Sequence, residues 1–160
     1  MPMEKLPELA AVLDDLLEAC RRLIETGETP PPTLAVATAD RVFLVAIQAP
    51  RAALYEILRR LGQQLAALSP LAVGLVADGY YRDLDGSPPS GSLAHDPGAR
   101  EALVMAITDR RGDTALRVFP YRRQADGTLS WEGEVTLPEG ATVEASILKA
   151  FWQGVLDVCL

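Results

Sequence analysis

The sequence has few of the residues from which metal and redox sites are built. It contains one histidine and two cysteines, and no pair of them stands at the spacing of a zinc or dithiol site. The cysteines, Cys20 and Cys159, are too few for a disulfide framework, so a reduced, cytoplasmic protein is expected. Asparagine is absent and arginine outnumbers lysine by thirteen to two, which is typical of a GC-rich genome and predicts a bacterial protein.

Long apolar runs are missing as well. No run approaches the roughly 20 residues of a membrane-spanning helix, and the acidic first helix lacks the apolar core of a signal peptide. The formal net charge of -7 opposes binding to nucleic acid or to an anionic membrane, because both depend on lysine and arginine. We therefore expect neither as a partner.

The common catalytic motifs are also absent. The chain has no GxxxxGKS/T, GxGxxG, HExxH or GxSxG sequence, so nucleotide, metalloprotease and serine-hydrolase chemistry lack their usual signatures. We expect no cofactor and no metal.

With 160 residues and an apolar fraction of 49%, the chain is expected to form one domain over residues 1–160 with its own core.

Two short apolar runs, Leu71–Ala77 and Ala102–Ile107, are expected to form the central strands of the sheet. Both are uncharged and bounded by turn formers, which is typical of strands buried on both faces. They are joined by a polar insert, Asp78–Glu101, whose proline- and glycine-rich part predicts a mobile loop over about 83–98.

The rest of the chain alternates between helical and strand patterns. The patterns predict a helix over 4–26, a hairpin of Thr33–Thr38 and Arg41–Ala49, a helix over Pro50–Leu68, strands at Thr114–Tyr121 and Thr128–Val135, and a last helix capped by Thr142. Because Arg41–Ala49 is apolar without alternation, we expect this strand to be central in the sheet.

Hairpin connections dominate this order, α-β-β-α-β-β-β-(β)-α. The expected fold is α+β, with a mainly antiparallel sheet of five or six strands and three helices. The order is similar to that of profilin-like and roadblock-like domains, and the likeness is one of topology because no residue motif of either family is present. It implies a three-layer sandwich.

The polar insert holds the candidate catalytic residues. His95 could act as a base with Asp96 as its partner, and Asp78 is a further candidate. Adjacent residues seldom point correctly for such a relay, and Asp-Pro and Asp-Gly pairs usually make turns. Asp83 and Asp85 resemble the start of a calcium loop, but its other ligands are missing, so no metal site is predicted.

Three consecutive residues, Tyr80, Tyr81 and Arg82, are the candidate binding residues. Tyrosine and arginine are enriched at binding hot spots and can stack on planar ligands. In an extended segment the two rings face opposite ways, so at most one lines a given pocket. The alternative interpretation places one ring in the core and the other at its edge.

The leading functional hypothesis is a non-catalytic domain that acts through protein contacts, as a homodimer or an adaptor. It is motivated by the missing catalytic motifs, by leucine-rich helices and by strand edges that a partner could cover. The alternative is a small-molecule or divalent-metal-dependent enzyme with its site in the 78–101 insert.

Overall fold

The computed structural model describes residues 6–81, 100–136 and 146–159, and these contain three α-helices and six strands. The helices are α1 (Leu6–Glu25), α2 (Leu54–Leu65) and α3 (Ser146–Cys159), and 3-10 turns at Arg51–Ala53 and Ala66–Leu68 flank α2. The strands are β1 (Thr33–Ala37), β2 (Val42–Ala46), β3 (Ala72–Tyr81), β4 (Arg100–Asp109), β5 (Thr114–Arg123) and β6 (Leu129–Trp131).

All six strands form one antiparallel sheet in the order β2-β1-β3-β4-β5-β6. The α+β class, the element order and the antiparallel pairing are therefore confirmed. The two apolar runs form β3 and β4, which pair over ten residues each at the centre of the sheet, as predicted. The profilin-like and roadblock-like resemblance stays a prediction.

One strand lies in a different place from the one predicted. Arg41–Ala49 was expected to be central, but the strand that forms within it, β2, is an edge strand. Among the described strands it pairs only with β1. Its lack of alternation has another cause: each face carries a helix layer, so apolar side chains are used on both sides. Phe43 and Val45 pack on one layer, and Val42 packs on the other.

Helices cover both faces of the sheet. The long helix α1 crosses one face over β1, β3 and β4, while α2 and α3 pack together on the other face. Gly74 of β3 lies directly beneath Leu13 of α1, and a β-carbon there would overlap the leucine side chain. The absence of this carbon lets α1 lie close to the sheet.

The helices α2 and α3 approach each other through two glycines. A β-carbon on Gly62 would lie 2.9 Å from the carbonyl carbon of Phe151, and one on Gly154 would lie 2.9 Å from that of Arg59. Close packing against a partner helix thus explains Gly62, whose position inside a helix costs about 1 kcal/mol relative to alanine. Asp157 of α3 accepts hydrogen bonds from Arg59 at 2.9 and 3.2 Å and closes the outer side of this helix pair.

The last strand is shorter than predicted. The regular pairing of β6 ends at Trp131, and Gly133 follows with a φ of +88°. The chain then rejoins β5, where the amide of Val135 donates to the carbonyl of Val118 at 2.9 Å. This extra residue shifts the alternation of side chains. Glu134 therefore pairs with Arg117 on the α1 face, although regular alternation along the predicted strand would put Glu134 and Trp131 on different faces.

The two central strands extend into the segment predicted as polar insert. Asp78–Tyr81 belongs to β3 and Arg100–Glu101 to β4. The predicted mobile loop over 83–98 and the predicted cap at Thr142 lie outside the described residues. None of the helices described has both the length and the apolar character needed to cross a bilayer.

Candidate functional site

Asp78, a predicted catalytic residue, lies on β3 and faces the α1 side of the sheet. Its Oδ1 accepts a hydrogen bond of 2.6 Å from the hydroxyl of Tyr121, which is only 1% exposed. Burial, followed by the hydrogen bond to Asp78, raises the pKa of Tyr121 well above its usual range, so the hydroxyl keeps its proton. The carboxylate of Asp78 therefore binds the protonated hydroxyl of a buried tyrosine, and a catalytic role for Asp78 stays a prediction.

The thiol of Cys20 belongs to the same region of the core. This residue of α1 is 4% exposed, and burial, followed by the charge of Asp78, raises the pKa of the thiol. A thiol that resists ionisation is a poor nucleophile and a poor metal ligand. Cys20 packs as a small apolar residue in the α1-side core.

The other predicted site residues are divided between β3 and the part of the chain that the structure does not describe. Tyr80 is 37% exposed and pairs with Glu101 across the strands, and Tyr81 is the last residue of β3. Arg82, His95 and Asp96 lie outside the described residues. The binding role of Tyr80, Tyr81 and Arg82 and the relay of His95 and Asp96 stay predictions.

A groove of about 290 Å³ runs between α1 and the β5–β6 side of the sheet. It is lined by Asp14, Leu17, Glu18, Arg21, Leu103, Arg117, Phe119 and Trp131. The floor is apolar and aromatic, while the rim carries charges of both signs. A groove of this kind is a natural first candidate for a small-molecule site.

The arginines of this groove are already engaged by neighbouring carboxylates. Arg117 donates to Glu134 at 2.6 and 3.2 Å and to Asp14 at 3.1 Å. These bonds raise the pKa of Arg117, and the hydrogen bond from Arg117 lowers the pKa of Glu134. Because this guanidinium joins the β5–β6 side to α1, it holds two layers of the fold together.

A second set of contacts closes the other end of the groove. The indole N–H of Trp131 donates to Glu25 at 2.8 Å, and Arg21 lies 5.0 Å above the indole ring while pairing with Glu25 at 3.3 Å. The groove therefore lies along the interface between α1 and the sheet, and its polar side chains hold the two together. Among the described residues, no group of three histidine, cysteine or acidic side chains is placed to hold a metal ion.

The outer edge of β2 is chemically different from this groove. At the two ends of the β1–β2 hairpin, the backbone amide of Thr38 donates to the carbonyl of Arg41 at 2.9 Å, and the amide of Ile47 donates to the carbonyl of Pro32 at 2.8 Å. Hydrogen-bonded pairs alternate along an antiparallel ladder, so Phe43 and Val45 also bond to β1. The N–H and C=O groups of the other three residues of β2, which are Val42, Leu44 and Ala46, therefore point outward.

Apolar side chains flank this edge on both faces. Leu44 is 50% exposed on the α1 face. On the other face, Phe43 and Leu68 line a hollow of about 370 Å³ together with Thr38, Asp40 and Arg41, and Leu68 is 53% exposed. Since side chains on both faces remain partly exposed, neither helix layer covers the edge.

The β2 edge also lacks the charged residues, prolines and bulges by which proteins usually protect an open strand. Its five residues, VFLVA, include no charged residue and no proline, and their pairing with β1 is regular without a bulge. An uncharged apolar edge with free backbone groups is a template for pairing with another strand. This edge is the strongest candidate for a functional surface within the described part of the chain.

Comparison of the chain with protein-family models, with curated proteins and with solved structures finds no match.

The sequence did not point to this edge. Its signal was present in the uncharged apolar run that begins at Val42, but the same signal is typical of a central strand. Trp131 and Arg117 of the groove were missed as well, because their contacts join segments about a hundred residues apart in the chain.

Proposed function

We propose that this chain is a non-catalytic protein-interaction domain whose contact surface is the outer edge of β2. The observation that carries the proposal is the outward row of backbone groups at Val42, Leu44 and Ala46, flanked by the exposed side chain of Leu44. A strand of a protein partner would satisfy these groups by extending the sheet, while Leu44 and the Phe43–Leu68 hollow would receive its side chains.

Two further properties support this assignment over an enzymatic one. The chemistry-bearing residues that the structure describes, Asp78, Tyr121 and Arg117, are bonded to other groups of the same fold. The groove between α1 and the β5–β6 side is lined by Arg21 and Arg117, whose charges are already balanced by carboxylates. These residues stabilise the sheet and its contact with α1, whereas the β2 edge, within the described part of the chain, presents an apolar row of outward backbone groups.

The experiment places a photo-cross-linking amino acid at position 44 and expresses the variant in the cells of origin. After irradiation, we expect one dominant adduct, which mass spectrometry identifies as a protein joined through β2. The matched control carries the same amino acid at position 156, because Leu156 is 53% exposed and belongs to α3, outside the β2 edge.

The proposal requires the adduct to depend on position. A defined adduct from position 44 that is absent from position 156 supports it. No adduct from position 44, or the same set of products from both positions, would show that this edge has no specific protein contact and would overturn the proposal.

A further inference from the structure

We infer that the partner of the β2 edge is a second copy of this chain, paired antiparallel about a two-fold axis that passes between the two Leu44 residues. This inference rests on the proposed function, since it names the partner of the same surface. The result is a continuous antiparallel sheet in which the two β2 strands are neighbours and the described strands of both copies take part.

The alternation of inward-pointing and outward-pointing backbone groups along β2 selects this register. Only Val42, Leu44 and Ala46 present their N–H and C=O groups outward. When Leu44 lies opposite Leu44 of the second copy, Val42 lies opposite Ala46 of that copy, so all three outward residues of each strand form hydrogen-bonded pairs. Sliding the strands by two residues in either direction leaves outward groups of each copy without a partner on the other β2.

The charges at the ends of β2 select the antiparallel direction. Asp40 and Arg41 precede the strand, while Ile47 and Gln48 follow it. In the antiparallel register, Asp40 lies opposite Gln48 of the second copy and Arg41 lies opposite Ile47, so no like charges meet. A parallel arrangement would bring the two Asp40 carboxylates and the two Arg41 guanidinium groups together, which is unfavourable.

The side chains of β2 fit this arrangement on both faces. Residues directly opposite each other in a ladder share a face, so the two half-exposed Leu44 side chains cover each other on the α1 side. On the other side, Val45 of the second copy lies opposite Phe43, next to the hollow formed with Leu68. A closed two-fold contact also leaves no β2 edge free for further growth.

Disulfide trapping tests the register directly. The background variant carries Cys159→Ser, while Cys20 is buried and stays as it is. In the inferred register the two Cα atoms at position 44 are about 5.5 Å apart, a distance that a disulfide spans, so Leu44→Cys should oxidise to a covalent dimer. The control is Ala46→Cys on the same face, where the two positions are offset by roughly 13 Å along the strands and should not link.

Sedimentation of the uncross-linked protein adds a second measurement. The wild-type chain should reach the mass of a dimer as concentration rises, Leu44→Lys should remain a monomer, and Leu156→Lys should behave as the wild type. Circular dichroism of each variant verifies that the fold is kept, which is expected because both leucines are about half exposed.

The outcomes separate this inference from the function on which it rests. A dimer from Leu44→Cys without one from Ala46→Cys, together with a dimeric wild type, supports the inference. A wild type that stays monomeric, or equal linking at both positions, overturns it. If that result is found while position 44 photo-cross-links to a different protein in cells, the proposed function stands and the identity of the partner is wrong.

Discussion

Replacement of Gly154 by alanine tests the packing that holds the helix layer behind the β2 edge. The new methyl carbon would lie 2.9 Å from the carbonyl carbon of Arg59, closer still to its oxygen, and 3.0 Å from the amide nitrogen of Gln63. These are backbone atoms of α2, which no rotamer change can move aside. The two helices must therefore separate, or their backbones must bend.

The expected change in the free energy of unfolding is the difference between two opposing contributions. Overpacking a well-filled contact costs about 1–3 kcal/mol, and the upper part of this range applies because the obstacle is backbone. Alanine regains about 1 kcal/mol of helix propensity over glycine. We therefore expect Gly154→Ala to lower the free energy of unfolding by about 2 kcal/mol, which for a chain of this length lowers Tm by roughly 4–8 °C.

The assay is urea unfolding followed by circular dichroism, with Gly79→Ala as the matched control. A β-carbon on Gly79 has no atom within 4 Å, so the same chemical change should be neutral or slightly stabilising there. Gly62→Ala should cost about as much as Gly154→Ala, and the double variant should cost less than their sum, because the helices separate only once. A Gly154→Ala protein as stable as the wild type would refute the reasoning.

Two further predictions concern polar contacts. Tyr121→Phe should lower the free energy of unfolding by about 1–3 kcal/mol, because it removes the 2.6 Å bond to the Asp78 carboxylate in a buried setting, and an unchanged urea midpoint would contradict this. The Arg59 guanidinium lowers the pKa of Asp157 to about 2, below its value in the unfolded chain, so its stabilising effect is complete at neutral pH and is lost as pH falls from about 4 to about 2. The difference in Tm between wild type and Asp157→Asn should shrink over that interval, and a constant difference would contradict the assignment.

The parts of the fold that depend on local pattern were predictable from the sequence. The helical pattern of α1, the apolar runs of β3 and β4, and the short turns between hairpin strands each reflect contacts near in sequence or the burial of one segment. The antiparallel class followed because short connections allow little else. These features needed no knowledge of which distant strands become neighbours.

The features that depend on distant pairing were not predictable in this way. The place of β2 at the edge is decided by β1 pairing with β3 on its other side, and the apolar pattern of β2 is the same in either place. The end of β6 depends on the conformation of Gly133, which rejoins the chain to β5 with its alternation shifted. A period-two pattern assumes an unbroken ladder and cannot foresee that shift.

The residues of the candidate site likewise depend on contacts between segments that are distant in the sequence. Asp78 was singled out from the sequence, but its hydrogen bond with Tyr121, which lies 43 positions away and reaches it across the sheet, could not be predicted. The functional surface proposed for β2 consists largely of backbone groups, and these carry no sequence signature. Only the position of the strand within the sheet reveals them.

Amide hydrogen exchange of the purified wild-type chain is the most direct measurement of whether β2 is held by a second copy. The amides of Phe43 and Val45 bond to β1 and should be protected at every concentration. Those of Val42, Leu44 and Ala46 should be protected at high concentration and should lose that protection on dilution, as the dimer dissociates. Rapid exchange of these three amides at all concentrations, beside protected neighbours, would contradict the account.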